Sequence, residues 1–290
     1  MYSITEKRII APGVTLAKIR APKIAEKRKA GQFVILRLYE NGERIPLTIA
    51  DADPKEGTIT IISQRAGKST AYLEDMPASQ GIVDVVGPLG RPTHIEKYEN
   101  VVCIGGGIGI APIHPIAQAF KKAGSHVTSI LGGKTKDFVI LEDLMRKASS
   151  EVHIATDDGS YGKHGFVTDM LKELVDQGKH FDFCVAIGPV PMMKAVSTLT
   201  KKLGIPTMVS LNAIMVDGTG MCGACRITVG GETKFVCVDG PEFDGHQVDF
   251  DQLTHRLRIF KECNEEAMKI YQSEGHNGNC ILKRTENASE

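Results

Sequence analysis

The sequence predicts a multidomain β and α/β protein: an antiparallel β-barrel, a parallel α/β nucleotide-binding domain, and a small C-terminal cysteine module. Three observations predict it. Residues 1–97 are short β-branched runs cut by Gly, Pro, Asp and Lys clusters. Residues 98–210 alternate strand and helix patterns, and residues 216–240, "VDGTGMCGACRITVGGETKFVCVDG", hold Cys222, Cys225 and Cys237.

In the first unit the runs "TLAKIRAP", "GQFVILRLY", "RIPLTIADAD", "GTITIIS" and "GIVDVVGPLG" have the length and spacing of a small antiparallel barrel. One helix is expected from Ser69 to Met76. Two stretches carry chemistry. "RIPLTIAD" puts Arg44, Pro46, Leu47 and Thr48 along a strand, where Arg44 is suited either to neutralise a phosphate or to serve as a surface charge. "GKST" at Gly67, Lys68, Ser69 and Thr70 opens the helix, offering amide donors at its positive end or simply an N-cap.

In the second unit the strands "VVCIGGG", "HVTSILGG", "VHIATDDG", "FCVAIGP" and "TMVSL" alternate with helical segments such as "FVILEDLMRKA" and "FVTDMLKELVDQG", the pattern of a parallel sheet covered on both faces. Four strands run into distinctive loops: "GGGIGIAP", "GGKTKD", "TDDGSYG" and "IGPVPMM". Ligands of such sheets bind beyond the strands' carboxyl ends, where glycines let backbone N–H groups approach a pyrophosphate. The usual Rossmann fingerprint fails, because Ile110 stands at its last glycine position and Gly132-Gly133 replace the ribose-binding acid. Cys103, Cys184, His114 and His164 are expected to be structural.

The third unit, 211–250, has the spacing Cys-x2-Cys-x11-Cys, and counting five back from Cys222 lands on Asp217. A two-iron cluster uses C-x4-C-x2-C with a distant fourth cysteine, so Asp217 stands where the first thiolate would be. Cys-x2-Cys is equally a zinc spacing, and an aspartate beside glycine is also a common turn residue. Residues from about 249 to 272 read as one charged helix before a polar tail; 251–290 is a candidate partner contact. Cys263 and Cys280 fall outside the spacing and receive no role.

Lys+Arg and Asp+Glu balance at 35 each, which gives no electrostatic case for nucleic acid or an anionic membrane. No apolar run reads as a span, and "MYSITEKRII" lacks a signal-peptide core. Seven cysteines, three of them clustered, point to metal use in a reducing compartment; a cytoplasmic protein is expected.

Together these stretches resemble the ferredoxin–NADP reductase superfamily, over residues 1 to about 250. Arg44–Thr48 matches its Arg-x-Pro-hydrophobic-Ser/Thr flavin motif, and Gly67–Thr70 its phosphate turn. "GPLG" at 87–90, "GGGIGIAP" at 105–112 and "DDGSYGKHGFVTD" at 157–169 match as well. Within it the chain is similar to the branch with a C-terminal iron–sulfur module. That branch holds the small subunit of NADH-dependent reduced ferredoxin:NADP oxidoreductase (sulfide dehydrogenase type) and the electron-transfer subunit of dihydroorotate dehydrogenase. The resemblance implies FAD held by Arg44, Pro46, Leu47, Thr48, Ile62, Ser63, Gly67, Lys68, Ser69 and Thr70. Thr48 would lie near the isoalloxazine and Ser69 and Thr70 at the pyrophosphate. It implies NAD(H) beside Gly106, Gly107, Gly109, Asp157, Asp158, Gly188 and Pro189, with hydride transfer near Thr48 and Gly188. It favours a [2Fe–2S] cluster on Asp217, Cys222, Cys225 and Cys237. Many relatives have Cys-Gly-Pro where this chain has Ile187-Gly188-Pro189.

The function so implied is electron transfer between NAD(H), FAD and the cluster, as a heterodimer with a larger flavin and iron–sulfur subunit facing NADPH and ferredoxin, in an electron-bifurcating complex. The aspartate ligand, the "GGK" loop and the charged tail favour this over the dihydroorotate dehydrogenase subunit, whose members usually have four cysteines. A reading of another class is a zinc-stabilised nucleotide-binding protein without catalysis.

Overall fold

Alternation of apolar side chains builds the first unit of the computed structural model, which describes residues 1–274. Its strands are β1 (Ile4–Ala11), β2 (Val14–Arg20), β3 (Phe33–Arg37), β4 (Arg44–Asp53), β5 (Thr58–Gln64) and β6 (Asp84–Leu89), with α1 (Pro22–Lys27) after β2 and α2 (Lys68–Asp75) after β5. They pair antiparallel in the order β1-β2-β5-β4-β3-β6. Just outside the two edge strands, Tyr2 and Ile82 exchange both backbone hydrogen bonds, at 2.7 and 2.8 Å, which joins the edges as a barrel requires. Val34, Leu36, Ile49, Ile59 and Ile61 point into the barrel. Phe33, Ile35, Ala50 and Ile62, the intervening positions, point out and are buried by the rest of the chain. Helix α1 was not anticipated: the strand in "TLAKIRAP" stops at Arg20, and Pro22 opens a helix too short to show a period.

The second unit comprises β7 (Asn100–Gly106), α3 (Ile110–Lys122), β8 (His126–Gly133), α4 (Glu142–Ala148), β9 (Glu151–Thr156), β10 (Lys163–His164), α5 (Val167–Asp176), β11 (Phe183–Ile187), α6 (Val190–Leu203) and β12 (Thr207–Ser210). Helix α4 is shorter than "FVILEDLMRKA" suggests, because Leu141 adopts a left-handed φ of 57° and starts the helix late. The sheet order is β10-β9-β8-β7-β11-β12 and then a strand from the cysteine region, β15 (Glu242–Asp244), all parallel except β15 at that edge. Helices α3 and α4 cover one face together with barrel residues Val14, Leu16, Ala50 and Ile62; α5 and α6 cover the other.

The cysteine region forms β13 (Arg226–Val229), β14 (Glu232–Phe235), α7 (Val236–Asp239) and β15 (Glu242–Asp244). It has no separate core: Cys225, Ile227, Val236 and Cys237 share one with Phe33 and Ile35 of the barrel and with α5 and α6. The segment read as one charged helix is two, α8 (Phe250–Leu257) and α9 (Lys261–Glu274). The break at 258–260 follows from their destinations. Phe250, Leu253 and Leu257 pack on the core of the cysteine module, whereas Met268 and Tyr271 pack on the barrel core, where Tyr271 Oη donates to Asp75 at 3.0 Å. Cys263 is exposed on α9, and Cys280 lies outside the described residues. Among the described residues, no helix is long and apolar enough to cross a membrane.

Candidate active site and cluster loop

The carboxyl ends of β7, β8, β9 and β11 surround a cavity of about 610 Å³. Its wall includes Gly106, Gly107, Gly132, Gly133, Lys134, Asp157, Pro189 and Met192. It sits where β7 separates strands running in opposite order, the crevice expected of an open parallel sheet. Val14 and Gln64 complete it from the barrel, so its inner end touches the outer barrel face.

The glycines divide by role. Gly107, at φ 55°, has open space where a Cβ would lie, which leaves its backbone accessible to a ligand. Gly109 sits deeper: a Cβ there would lie 2.2 Å from the Ile187 carbonyl oxygen, so its absence lets the start of α3 close onto the end of β11. At Gly188 a Cβ would meet the Met192 side chain at 2.7 Å. The two aspartates also separate. Asp157 lines the cavity, while Asp158 Oδ1 accepts from the Ser160 amide at 3.0 Å and its hydroxyl at 2.7 Å. Those bonds hold the Asp158 carboxyl below the usual carboxylate range and tie it to its own loop. Val14, Gln64, Phe138, Phe166 and Thr168 were not singled out from sequence; nothing in a strand or helix start marks such residues as cavity wall.

On the barrel, register decides which motif residues point together. Thr48 pairs with Phe33, Pro46 with Ile35 and Arg44 with Arg37, so Arg44, Pro46 and Thr48 share the outward face. Leu47 lies opposite Val34 and packs toward the barrel core. Ile62 faces outward into the core shared with the parallel sheet, whereas Ser63 is buried and its hydroxyl has no hydrogen-bond partner among the described residues. At the start of α2, Thr70 Oγ1 accepts from the amides of Ala66 at 2.9 Å and Gly67 at 3.1 Å, fixing the turn. Ser69 Oγ donates to the Glu43 carboxylate, and Gly67 has open space at its missing Cβ.

His114 is buried in α3, its Nδ1 3.3 Å from the Ala50 carbonyl and its Nε2 3.1 Å from the Gln118 amide. Burial keeps its pKa below the ordinary value, as befits a neutral strut between α3 and β4. Cys103 and Cys184 are buried on opposite sheet faces, and desolvation raises both thiols.

In the cysteine loop, Cys225 Sγ and Cys237 Sγ lie 3.2 Å apart and buried, while Cys222 is exposed. Asp217 Oδ1 accepts from the Thr219 amide at 2.7 Å and Oδ2 from the Cys222 amide at 3.0 Å, which holds the carboxyl below its usual range. Each oxygen retains a lone pair for a further partner. Burial, then the neighbouring Cys225, pushes the Cys237 thiol up to about 12; the Gly220 amide acts on the same sulfur in the opposite sense. Gly218, Gly220 and Gly223 all have positive φ, and a Cβ on Gly218 would lie 2.7 Å from Ile35 Cγ1. Two contacts thus organise the loop, the Asp217 carboxylate on the Cys222 amide and the Cys225–Cys237 sulfur pair. Among the described residues no three or more His, Cys, Asp or Glu gather as around a single ion. Two thiolates on one tetrahedral metal stand about 3.8 Å apart for bonds of about 2.3 Å, so the Cys225–Cys237 pair needs to open by only about 0.6 Å.

A barrel with an outward flavin-type strand, joined to a parallel sheet with a nucleotide cavity, defines a reductase of the ferredoxin–NADP reductase type. Residues 103–198 match the oxidoreductase NAD-binding domain, and residues 212–249 match the iron–sulfur cluster binding domain of dihydroorotate dehydrogenase B. The chain is 49% identical, over 90% of its length and 92% of the relative's, to a dihydroorotate dehydrogenase B (NAD(+)) electron transfer subunit homolog of Thermotoga maritima. It is 36% identical, over 85% and 96%, to the electron transfer subunit of Geobacillus thermodenitrificans. A solved chain from a study of flavin-based electron bifurcation in the NADH-dependent reduced ferredoxin-NADP oxidoreductase superposes with a TM-score of 0.90. Its identity is 44%, covering 94% of this chain and 98% of that one. The chain belongs to the family of dihydroorotate dehydrogenase B electron transfer subunits and their homologues. It is an electron-transfer oxidoreductase subunit that uses NAD(H), a flavin and an iron–sulfur cluster.

Proposed function

We propose that this chain is the NADH-side small subunit of an electron-bifurcating, NADH-dependent ferredoxin:NADP oxidoreductase, with FAD on the barrel and a [2Fe–2S] cluster as its electron exit. The observation that carries the reading is the convergence on one barrel face. Arg44, Pro46 and Thr48 share that face with Ile35, Gly218 of the cysteine loop packs on Ile35, and the nucleotide cavity ends at Val14 and Gln64. When bound, a flavin takes two electrons as a hydride and releases them singly, which joins a nicotinamide to a one-electron cluster. The protein's part is positioning. Arg44 and the amides at the start of α2 bind the pyrophosphate. Thr48 sits at the isoalloxazine, and Gly188 and Pro189 border the nicotinamide. Asp217, Cys222, Cys225 and Cys237 hold the cluster.

In this reading residues 1–97, 98–210 and 211–250 carry flavin, nucleotide and cluster. Part of 251–290 ties the module back to the barrel, and a larger flavin and iron–sulfur subunit receives the electrons. The aspartate in place of a thiolate supports this over a subunit of an NAD-dependent dihydroorotate dehydrogenase, as does likeness to the bifurcating enzyme along nearly the whole chain.

The test is anaerobic purification followed by NADH titration under visible and paramagnetic-resonance detection. Bleaching of a flavin band and a reduced two-iron signal are expected; a colourless protein would refute the reading. Asp217→Cys should keep the cluster with a shifted potential, and Asp217→Ala should lose most of it. An unchanged resonance spectrum in the Ala variant removes Asp217 from the ligand set. Co-purification decides between partners: a large subunit rich in ferredoxin-like cysteines is expected, and one that oxidises dihydroorotate overturns the assignment.

A further inference from the structure

Two arginines grip the loop between Cys222 and Cys225. Arg226 Nη1 donates to the Gly223 carbonyl at 3.1 Å, and Arg256 Nη2, reaching across from α8, donates to the next carbonyl, Ala224, at 2.8 Å. Arg226 is exposed and Arg256 half-buried. Burial, then the neighbouring Arg226, holds the Arg256 guanidinium below its ordinary range. Among the described residues neither guanidinium forms an ion pair with a carboxylate, although ion pairs abound elsewhere on this surface. Two guanidiniums on adjacent carbonyls, neither paired with a carboxylate among the described residues, leave net positive charge on this loop.

We propose that Arg226 and Arg256 are positioning residues that form a cationic clamp on the cluster loop and raise the reduction potential of the electron exit. The inference rests on the [2Fe–2S] reading above. Reduction adds one negative charge at the site, and arginine stays protonated throughout, so the clamp favours the reduced form without exchanging a proton. Its second effect is geometric. With the Gly223 and Ala224 carbonyls engaged on the arginine side, the loop between Cys222 and Cys225 is held in one conformation around its metal. The half-buried Arg256 supplies the less screened charge of the two.

The experiment is an anaerobic redox titration of the full chain, followed by the resonance signal of the reduced cluster, with iron and sulfide content measured in parallel. Arg256→Gln keeps a donor but removes the charge. It should lower the reduced-to-oxidised ratio about tenfold at fixed ambient potential, which for a one-electron couple is about 59 mV. Arg256→Lys keeps the charge and should stay within twofold of the parent. Arg226→Gln, at an exposed position, should load its cluster fully and shift the ratio in the same direction by less. If Arg256→Gln fails to load, Arg226→Gln carries the test. A fully loaded Gln variant with an unchanged ratio overturns the proposal, as does a Lys variant shifted as far as Gln. If the parent protein itself gives no reduced-cluster signal, the underlying cofactor reading has failed instead.

Discussion

Gly109→Ala isolates steric closure from backbone freedom. Gly109 has φ −64° and ψ −12°, values any residue adopts, so alanine suffers no conformational penalty there. The added Cβ, however, would lie 2.2 Å from the Ile187 oxygen, 2.6 Å from its carbonyl carbon and 2.8 Å from Gly188 Cα. Carbon-to-oxygen contacts relax at about 3.3 Å, so the α3 start and the β11 end must part by about 1 Å. Both are backbone, and no side chain can swing away. Overpacking of this kind costs about 1–3 kcal/mol of stability. The same displacement moves Gly188 and Pro189 relative to Gly106 and Gly107, and a misplacement of about 1 Å costs on the order of 100-fold in rate. Urea unfolding and NADH-driven reduction of an artificial dye measure the two effects. A variant with parental urea midpoint and parental dye reduction would refute the argument that this contact sets the cavity.

Tyr271→Phe removes the hydrogen bond that anchors α9 to Asp75 on α2. Asp75 keeps its paired contacts with Arg65 at 2.9 and 3.0 Å, so the loss should fall near the lower end for a bond to a charged group, about 1.5 kcal/mol, with faster proteolysis of the C-terminal helix. Equal stability and equal cleavage would show that this hydrogen bond does not hold α9 in place. Glu151 is held down to about 2, chiefly by Lys179 and then by His153 and His126. Since its folded pKa lies below the unfolded value, its contribution is present above about 4.5 and fades as pH falls toward 2, and its partial exposure keeps that contribution small. The stability gap between the parent and Glu151→Gln should narrow from pH 6 to pH 3; a constant gap refutes the assignment.

Much of this protein was legible in local pattern. Strand alternation, the Gly-rich loops after the parallel strands and the cysteine spacing are properties of a few neighbouring residues, and the fold respects the first two. The splitting of the charged C-terminal segment was not legible, because the periodicity of 249–272 does not reveal that its two halves face different cores. Nor could the sequence separate Asp157 from Asp158, or Thr48 from Leu47: adjacent residues in a strand or loop diverge by pleat and hydrogen bonding. The pairing of Arg226 with Arg256 across thirty positions was equally invisible.

What the sequence determined by itself was the chemistry available: glycines that free backbone amides, thiols and one carboxylate at cluster spacing, and an arginine on a strand. What only the tertiary structure decided was their convergence. The cysteine loop, the outward strand β4 and the nucleotide cavity meet because Phe33, Ile35, Ala50 and Ile62, the outward residues of the barrel, must be buried. Burying them draws the parallel sheet and the cysteine module onto the barrel face that Arg44, Pro46 and Thr48 share.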